Sequence, residues 1–334
     1  MLRLLRLLVF IGFALAAVFS IGLIGLAAVP LELPAESVEF SVASGSTLRG
    51  ATRQIAEAGV PLSEFHFNLM ARIAGKGTHI KAGSYELAQG ATPWEILQKI
   101  TAGDVLLSEV LFVEGWNFGQ MRAALDAIGE LRHDTRGMSD AQIMERMGAP
   151  AGQPAEGMFF PDTYLFAKGE SDLKILGRAH RLMQRKLAHI WEERGEGILV
   201  KSPYEALILA SIVEKETGAQ AERATIAGVF ANRLRIGMRL QTDPTVIYGM
   251  GERYKGNIRR VDLETDTPFN TYTRAGLPPH PIAMPGLAAL RAAVNPAKTD
   301  AFYFVARGDG SHQFSRTLDE HNRAVSRYQK KGRP

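Results

Sequence analysis

The chain has 334 residues, which is enough for one membrane-spanning helix and two modest soluble domains. Its 39 Lys and Arg against 35 Asp and Glu give a formal charge of +4, and because this small excess is scattered along the chain, nucleic-acid binding is not indicated. The absence of cysteine excludes disulfides, thiolate metal sites and cysteine nucleophiles.

The first predicted element is an uncharged apolar run over residues 7–29. At about 1.5 Å per residue, a helix of this length crosses the ~30 Å hydrocarbon core of a bilayer. Arg3 and Arg6 precede the run and an acidic segment follows it, so the positive-inside rule leaves residues 1–6 as a cytoplasmic stub and exports the rest. A cleaved signal peptide is the alternative, but its apolar region spans only about 7–15 residues. We therefore predict a single-pass inner-membrane protein with a periplasmic or extracytoplasmic C-terminal part.

Residues 38–107 are predicted to form a small mixed domain. Val38, Phe40 and Val42 alternate as in a strand, and apolar residues at helical spacing follow until Gly59. A second helix is predicted to Ile73, then a short strand, and then a helix that begins with a Thr-Pro-x-Glu capping box at residues 92–95. The order of elements is strand, helix, helix, strand, helix.

Residues 108–330 are predicted to form a larger α+β domain. The pattern favours helices over 117–131, 140–147 and 173–195, a further helix that starts at Ser202, and another over 222–235. Residues 238–249 are predicted to form an extended run that polar groups and an X-Pro bond interrupt.

The helix that starts at Ser202 is the most informative for chemistry, and its start is predicted from a Ser-Pro-x-Glu capping box at residues 202–205. Its body is apolar, yet Glu214, Lys215 and Glu216 occupy its last turn. Leu207, Ala210 and Glu214 share one stripe, which predicts that Glu214 is buried, and burial raises the pKa of a carboxyl toward the range useful to a proton donor. A solvated helix end is the simpler interpretation, and Glu216, on a neighbouring stripe, competes for the role. Periodicity alone does not choose between the two acids.

The loops downstream carry aromatic, amide and hydroxyl side chains, which suit a sugar-binding groove. They include residues 269–273 (Phe-Asn-Thr-Tyr-Thr) and a proline-rich stretch at 276–282. His280, His312 and His321 are dispersed, so a zinc cluster is not indicated and structural roles are predicted for them.

Several long motifs resemble the YceG-like family of endolytic murein transglycosylases. They are residues 207–249, which contain IVEKET and MRLQTDPTVIYG, residues 156–164 (EGMFFPDTY), FNTY with GLPP at 269–279, and HQF with HN at 312–322. The resemblance extends over nearly the whole chain. It implies a LysM-like subdomain for residues 38–107, a YceG-type catalytic domain for 108–330, and no cofactor or metal.

The resemblance also implies the chemistry and the site. The family cleaves the β-1,4 bond between N-acetylmuramic acid and N-acetylglucosamine in peptidoglycan without water and leaves a 1,6-anhydro end. Its catalytic glutamate corresponds to Glu214 here, with Glu216 as the alternative acid. Groove roles are expected for Gln241, Thr242, Asp243, Asn270, Tyr272 and Glu156.

The predicted membrane-spanning helix at residues 7–29 would confine such an enzyme to glycan near the bilayer. Nascent strands are therefore the expected substrate, and peptidoglycan synthases (penicillin-binding proteins) are the expected neighbours. The competing hypothesis is a non-catalytic scaffold that binds peptidoglycan and recruits these synthases.

Overall fold

The computed structural model describes residues 10, 11, 22 and 25–330. The fold is α+β, with small two-stranded sheets among many helices, as predicted. The predicted membrane-spanning run at 7–29 lies mostly outside the described residues. Among the residues that are described, no helix is both long enough and apolar enough to cross a bilayer.

The described part of the chain divides into two compact units, of which the first lies within residues 1–109 and 165–170. Its described elements are strand β1 (Ser37–Val42), helices α1 (Leu48–Glu57) and α2 (Glu64–Ile73), strand β2 (Gly83–Ala88) and helix α3 (Pro93–Ala102). Strands β1 and β2 pair antiparallel, with Phe40 opposite Tyr85, and these two rings stack in the core of the unit. Thr92 and Glu95 form the predicted capping box of α3.

The second unit comprises residues 110–164 and 171–334. Strands β3 (Leu107–Leu111) and β4 (Thr163–Ala167) pair with each other. The remaining elements, in chain order, are helices α4 (Phe118–Asp126), α5 (Asp140–Arg146), α6 (Asp172–Glu192), α7 (Pro203–Glu216), α8 (Arg223–Arg235), α9 (Asp243–Met250), α10 (Arg260–Glu264) and α11 (Leu287–Val294), strands β5 (Tyr303–Ala306) and β6 (His312–Ser315), and helix α12 (Leu318–Val325).

Helix α7 lies at the centre of the second unit. Every residue from Ala206 to Val213 is buried, and the helix packs against α6, α8, α9 and α11. The core around it contains large side chains such as Phe230 and Leu290. Because its neighbours cover it on several sides, α7 is apolar around most of its circumference rather than along one stripe.

Three local predictions are wrong. Residues 243–250 form helix α9 instead of an extended run, because Pro244 occupies the first turn, where its missing N–H costs no hydrogen bond. The helix predicted to reach residue 131 ends at Asp126. Ser202 caps α7 by accepting from the Glu205 amide, but the Glu205 carboxylate accepts from the Lys201 amide, so the reciprocal half of the capping box is absent.

Candidate functional site

The charged end of helix α7 divides between two different environments. Glu214 and Glu216 are two residues apart, so at about 100° per residue their side chains leave the helix in nearly opposite directions. The helix ends at Glu216, and the backbone of the next residue, Thr217, is extended. The two carboxyl groups therefore point into different surroundings, and each has its own hydrogen-bond partners.

The side chain of Glu214 is largely covered, and both of its oxygens have hydrogen-bond partners. Its side chain is 5% exposed, its Oε1 accepts a hydrogen bond from Arg223 Nη2 at 2.9 Å, and its Oε2 accepts from the Gly286 amide at 2.9 Å. Gly286 is the residue before helix α11, so the carboxylate also faces the positive end of that helix. Burial raises the pKa of Glu214, against the opposing effects of the Gly286 amide and the Arg223 guanidinium.

The turn at residues 114–116 closes the surroundings of Glu214. Gly115 and Trp116 exchange backbone hydrogen bonds with Met284, and Lys215 Nζ donates to the Gly115 carbonyl at 3.1 Å. The Glu114 side chain occupies the space beside Gly286, where a Cβ would come within 1.8 Å of Glu114 Oε1. Through this packing and its hydrogen bonds, Glu214 helps to hold together segments of the second unit that are distant in sequence.

Glu216 faces a groove. Its Oε1 accepts a short hydrogen bond from the Thr242 hydroxyl. Burial raises the pKa of Glu216 to about 7, a rise that the Thr242 hydrogen bond opposes and the charge of Asp243 reinforces. A carboxyl group with this pKa is substantially protonated at neutral pH, so it can deliver a proton.

The groove beside Glu216 has a volume of about 440 Å³. Three of the predicted substrate-binding residues, Gln241, Thr242 and Asp243, line it together with Tyr272. The Tyr272 hydroxyl donates to Asp243 Oδ1 at 2.6 Å. Arg233 and the rings of Tyr303, Phe304, His312 and His321 complete its polar and aromatic walls.

The segment that carries these groups is held in an uncommon conformation. Gln241 has a φ of 49°, the only positive value at a non-glycine among the described residues. Its amide donates to the Thr271 carbonyl, and the Thr242 amide donates to the Thr271 hydroxyl. Such backbone strain persists only where its surroundings enforce it, and it is concentrated at functional sites.

Sequence reasoning missed His312 as a groove residue. The motif at 312–314 contains it, but no spacing links it to a helix 96 residues earlier. In the structure, His312 Nδ1 lies 2.7 Å from Glu222 Oε2, and its backbone amide donates to Glu222 Oε1 at 3.0 Å. When His312 is protonated, its positive charge lowers the pKa of Glu216.

Asn270, one of the predicted sugar contacts, stabilises its own loop through internal hydrogen bonds. It is 1% exposed, and its amide nitrogen donates to the carbonyl groups of residues 262, 263 and 265. Its Oδ1 accepts from the Tyr272 amide at 2.8 Å. The structure therefore places Asn270 behind Tyr272 and not on the surface of the groove.

Glu156 also lies away from the residues that line the groove. It is 7% exposed, and it accepts hydrogen bonds from the Phe118 amide at 3.1 Å and from the Tyr248 hydroxyl at 3.2 Å. Burial raises the pKa of Glu156 to about 7, against the effect of these donors. Because Tyr248 belongs to α9, Glu156 connects the helix that begins at Asp243 to the start of α4.

The raised pKa of Glu156 predicts how stability depends on pH. Between pH 4.5, the ordinary value for Glu, and about pH 7, the folded state keeps a proton that the unfolded state releases, so stability falls as pH rises. We expect Glu156→Gln to remove about 2–3 kcal/mol of this fall, as measured by urea unfolding across that range. Glu145→Gln, at an exposed position on α5, is the control. Parallel curves for wild type and Glu156→Gln would contradict the prediction.

The fold and the groove together define an α+β protein with an acid-bearing, aromatic-lined cleft in its larger unit. The chain belongs to the YceG-like family, whose model matches residues 40–327, which confirms the resemblance seen in the sequence. Within the described residues, no three His, Asp or Glu side chains are arranged to hold a metal ion.

Relatives with assigned names support this membership. The chain is 32% identical over 309 residues to the endolytic murein transglycosylase of Bacillus subtilis, a match that covers 87% of this chain and 85% of that protein. It is 25% identical over 328 residues to the endolytic murein transglycosylase of Streptococcus pneumoniae serotype 2, of which the match spans 58%. A crystal structure of a YceG-like protein from Listeria monocytogenes superimposes with a TM-score of 0.54 at 30% identity, covering 86% of this chain and 99% of that one.

Proposed function

We propose that this chain is an endolytic murein transglycosylase, a lyase that cleaves the β-1,4 bond between N-acetylmuramic acid and N-acetylglucosamine in nascent glycan strands. The product would carry a 1,6-anhydro-N-acetylmuramic acid end, and cleavage would terminate strand elongation. Membership of the YceG-like family supports the activity. The observation that carries the mechanism is a carboxyl group with a pKa of about 7 at the wall of a polar, aromatic groove.

We propose Glu216 as the proton donor in place of Glu214, the acid that the family resemblance implies. Both oxygens of Glu214 already accept hydrogen bonds, one of them from a charged guanidinium. Glu216 is bound by a single hydroxyl and lines the groove. Glu214 would then position the end of α7 without touching the glycan.

The proposed reaction begins with proton transfer from Glu216 to the glycosidic oxygen, which breaks the bond to C1 of the muramic acid residue. The C6 hydroxyl of the same residue then attacks C1 and loses its proton. The Glu216 carboxylate is one group that can accept it, which regenerates the acid. No water enters the bond, in contrast to the two-carboxylate hydrolases.

Gln241, Thr242, Asp243 and Tyr272 are proposed to bind the glycan. They share the groove with Glu216, and their amide, hydroxyl and carboxylate groups match the hydroxyl and acetamide groups of amino sugars. Tyr303 and Phe304 supply flat apolar faces against which a pyranose ring can pack.

The test of the activity is the chemistry of the product. Full-length protein in detergent is incubated with uncrosslinked glycan strands, and mass spectrometry identifies the new ends. Anhydro ends at internal positions support the proposal, whereas reducing ends would identify a muramidase. Bound but intact strands would favour the non-catalytic scaffold.

A hydroxyl deletion tests how the groove sets the proton donor. The Thr242 hydroxyl favours the ionised form of Glu216, so Thr242→Val should raise its pKa and move the basic limb of the kcat profile to higher pH. The pKa of Glu216 is expected to shift by about one unit, because one pKa unit corresponds to roughly the free energy of one hydrogen bond. Thr242→Ser keeps the hydroxyl and should retain the wild-type profile. An unshifted limb in Thr242→Val would remove Glu216 as the titrating group.

We infer from the sequence that residues 7–29 anchor the chain in the cytoplasmic membrane, with the groove on its outer face. The positive flank of the run supports this orientation. The order β1, α1, α2, β2, α3 in the first unit fits the proposed LysM-like subdomain, which would hold glycan near the membrane and near the synthases that make it. A version released from the membrane should therefore fail to replace the anchored protein in cells.

A further inference from the structure

His312 and Glu222 form a half-buried pair at the side of the groove. Strand β6 begins with His312, and Glu222 lies directly before helix α8. Their side chains are 12% and 18% exposed, and Glu222 receives two hydrogen bonds from the one residue, through the ring and through the backbone amide. The imidazole is therefore fixed in orientation by a carboxylate, with the Phe304 ring packed edge-on against it at 5.5 Å.

The pair selects one tautomer of the ring. Burial alone would raise the pKa of Glu222, but the bonds from the His312 amide and ring outweigh it and hold that pKa below its usual value. An ionised carboxylate can only accept, so the proton of a neutral imidazole resides on Nδ1. The lone pair is then on Nε2, which has no hydrogen-bond partner within the described part of the chain. His312 lines the same groove as Glu216.

We propose that His312 is a second acid–base residue of this groove, which takes the proton from the C6 hydroxyl of the muramic acid residue at Nε2. The inference rests on the proposed transglycosylase reaction. Glu216 gives its proton to the leaving O4, the bond from C1 to O4 breaks, the bond from C1 to O6 forms, and the O6 proton passes to Nε2. The products are a Glu216 carboxylate and a His312 imidazolium, and one proton transferred between them through solvent restores the starting state.

The charge environment suits this division of roles. Glu216 keeps its proton because its carboxyl group is covered and lies near Asp243. The hydrogen bond to Glu222 leaves the lone pair of His312 on Nε2, so before the reaction one group can give a proton and the other can accept one. After transfer, Glu222 stabilises the imidazolium. The other titratable or charged groups near the pair and in the groove are Arg233, Asp243, Tyr272, Tyr303, Arg307 and His321.

His312→Asn is the principal test, because its amide can still donate to Glu222 from the position of Nδ1 while Nε2 is lost. We expect kcat for the formation of anhydro ends to fall by about 100-fold or more, with KM unchanged. The acidic limb of the pH–rate profile, which reports protonation of Nε2, should disappear. In His312→Ala, added imidazole should restore part of the rate. His189→Gln, on the exposed face of α6, is the control.

Glu222→Gln tests the positioning residue. We expect a loss of about 10–100-fold, because the amide no longer fixes the orientation and tautomer of the ring. The inference is overturned if His312→Asn retains near wild-type kcat, or if its rate falls while the acidic limb stays in place and imidazole does not rescue His312→Ala. Either result leaves the transglycosylase proposal intact. That proposal fails only if the wild-type protein forms no anhydro ends.

Discussion

Replacing Glu216 by Gln is expected to lower kcat for strand cleavage by about 10³-fold or more, since the amide cannot donate a proton to the glycosidic oxygen. The neutral amide still accepts from the Thr242 hydroxyl, so the groove and KM should change little. Formation of anhydro ends, followed by mass spectrometry under single-turnover conditions, measures the effect.

Glu214→Gln is the matched variant, on the same turn of the same helix. It removes a charge beside Arg223, and we expect reduced stability but a kcat within about tenfold of wild type, because Glu214 does not line the groove. The reverse pattern, an active Glu216→Gln and an inactive but folded Glu214→Gln, would return the role of acid to Glu214.

The second large effect concerns stability. Arg223→Met is expected to cost about 3–5 kcal/mol of unfolding free energy, the usual result of leaving one member of a buried ion pair without its partner. Arg223 and Glu214 have side chains that are only 10% and 5% exposed, and their contact is 2.9 Å long. Urea unfolding at pH 8 measures the loss. At this pH the unpaired Glu214 either carries a charge that is unfavourable to bury or takes up a proton that is unfavourable to bind.

The double variant Glu214→Met with Arg223→Met provides the control. With both charges gone and an apolar pair of similar volume in place, most of the lost stability should return. If the double variant is as unstable as Arg223→Met alone, the destabilisation comes from lost packing of Arg223 and not from an unpaired carboxylate.

The comparison of Glu214 with Glu216 shows how far sequence reasoning reaches. The start of helix α7 and the burial of Glu214 followed from the Ser202 cap and the apolar spacing. The periodic pattern did not reveal which acid faces the groove, because α7 is enclosed on several sides and its apolar stripe is too wide to define one buried face.

Longer-range features were harder to predict. The extended run expected around Pro244 is a helix, because Pro is as compatible with a first helical turn as with a bend. The approach of His312 to Glu222 joins residues 90 positions apart, and neither residue belongs to a local pattern that indicates the other. Family resemblance identified the motifs, but only the packing shows that Asn270 lies behind Tyr272 and that Glu156 does not line the groove.

Two consecutive residues at the start of helix α8 serve two different clusters. Glu222 binds His312, and Arg223 binds Glu214. Fraying of this single turn would release both contacts at once, so the free energy of local opening there limits how long the site stays assembled. Amide hydrogen exchange at residues 222–224 would therefore report the integrity of the groove even when no substrate is present.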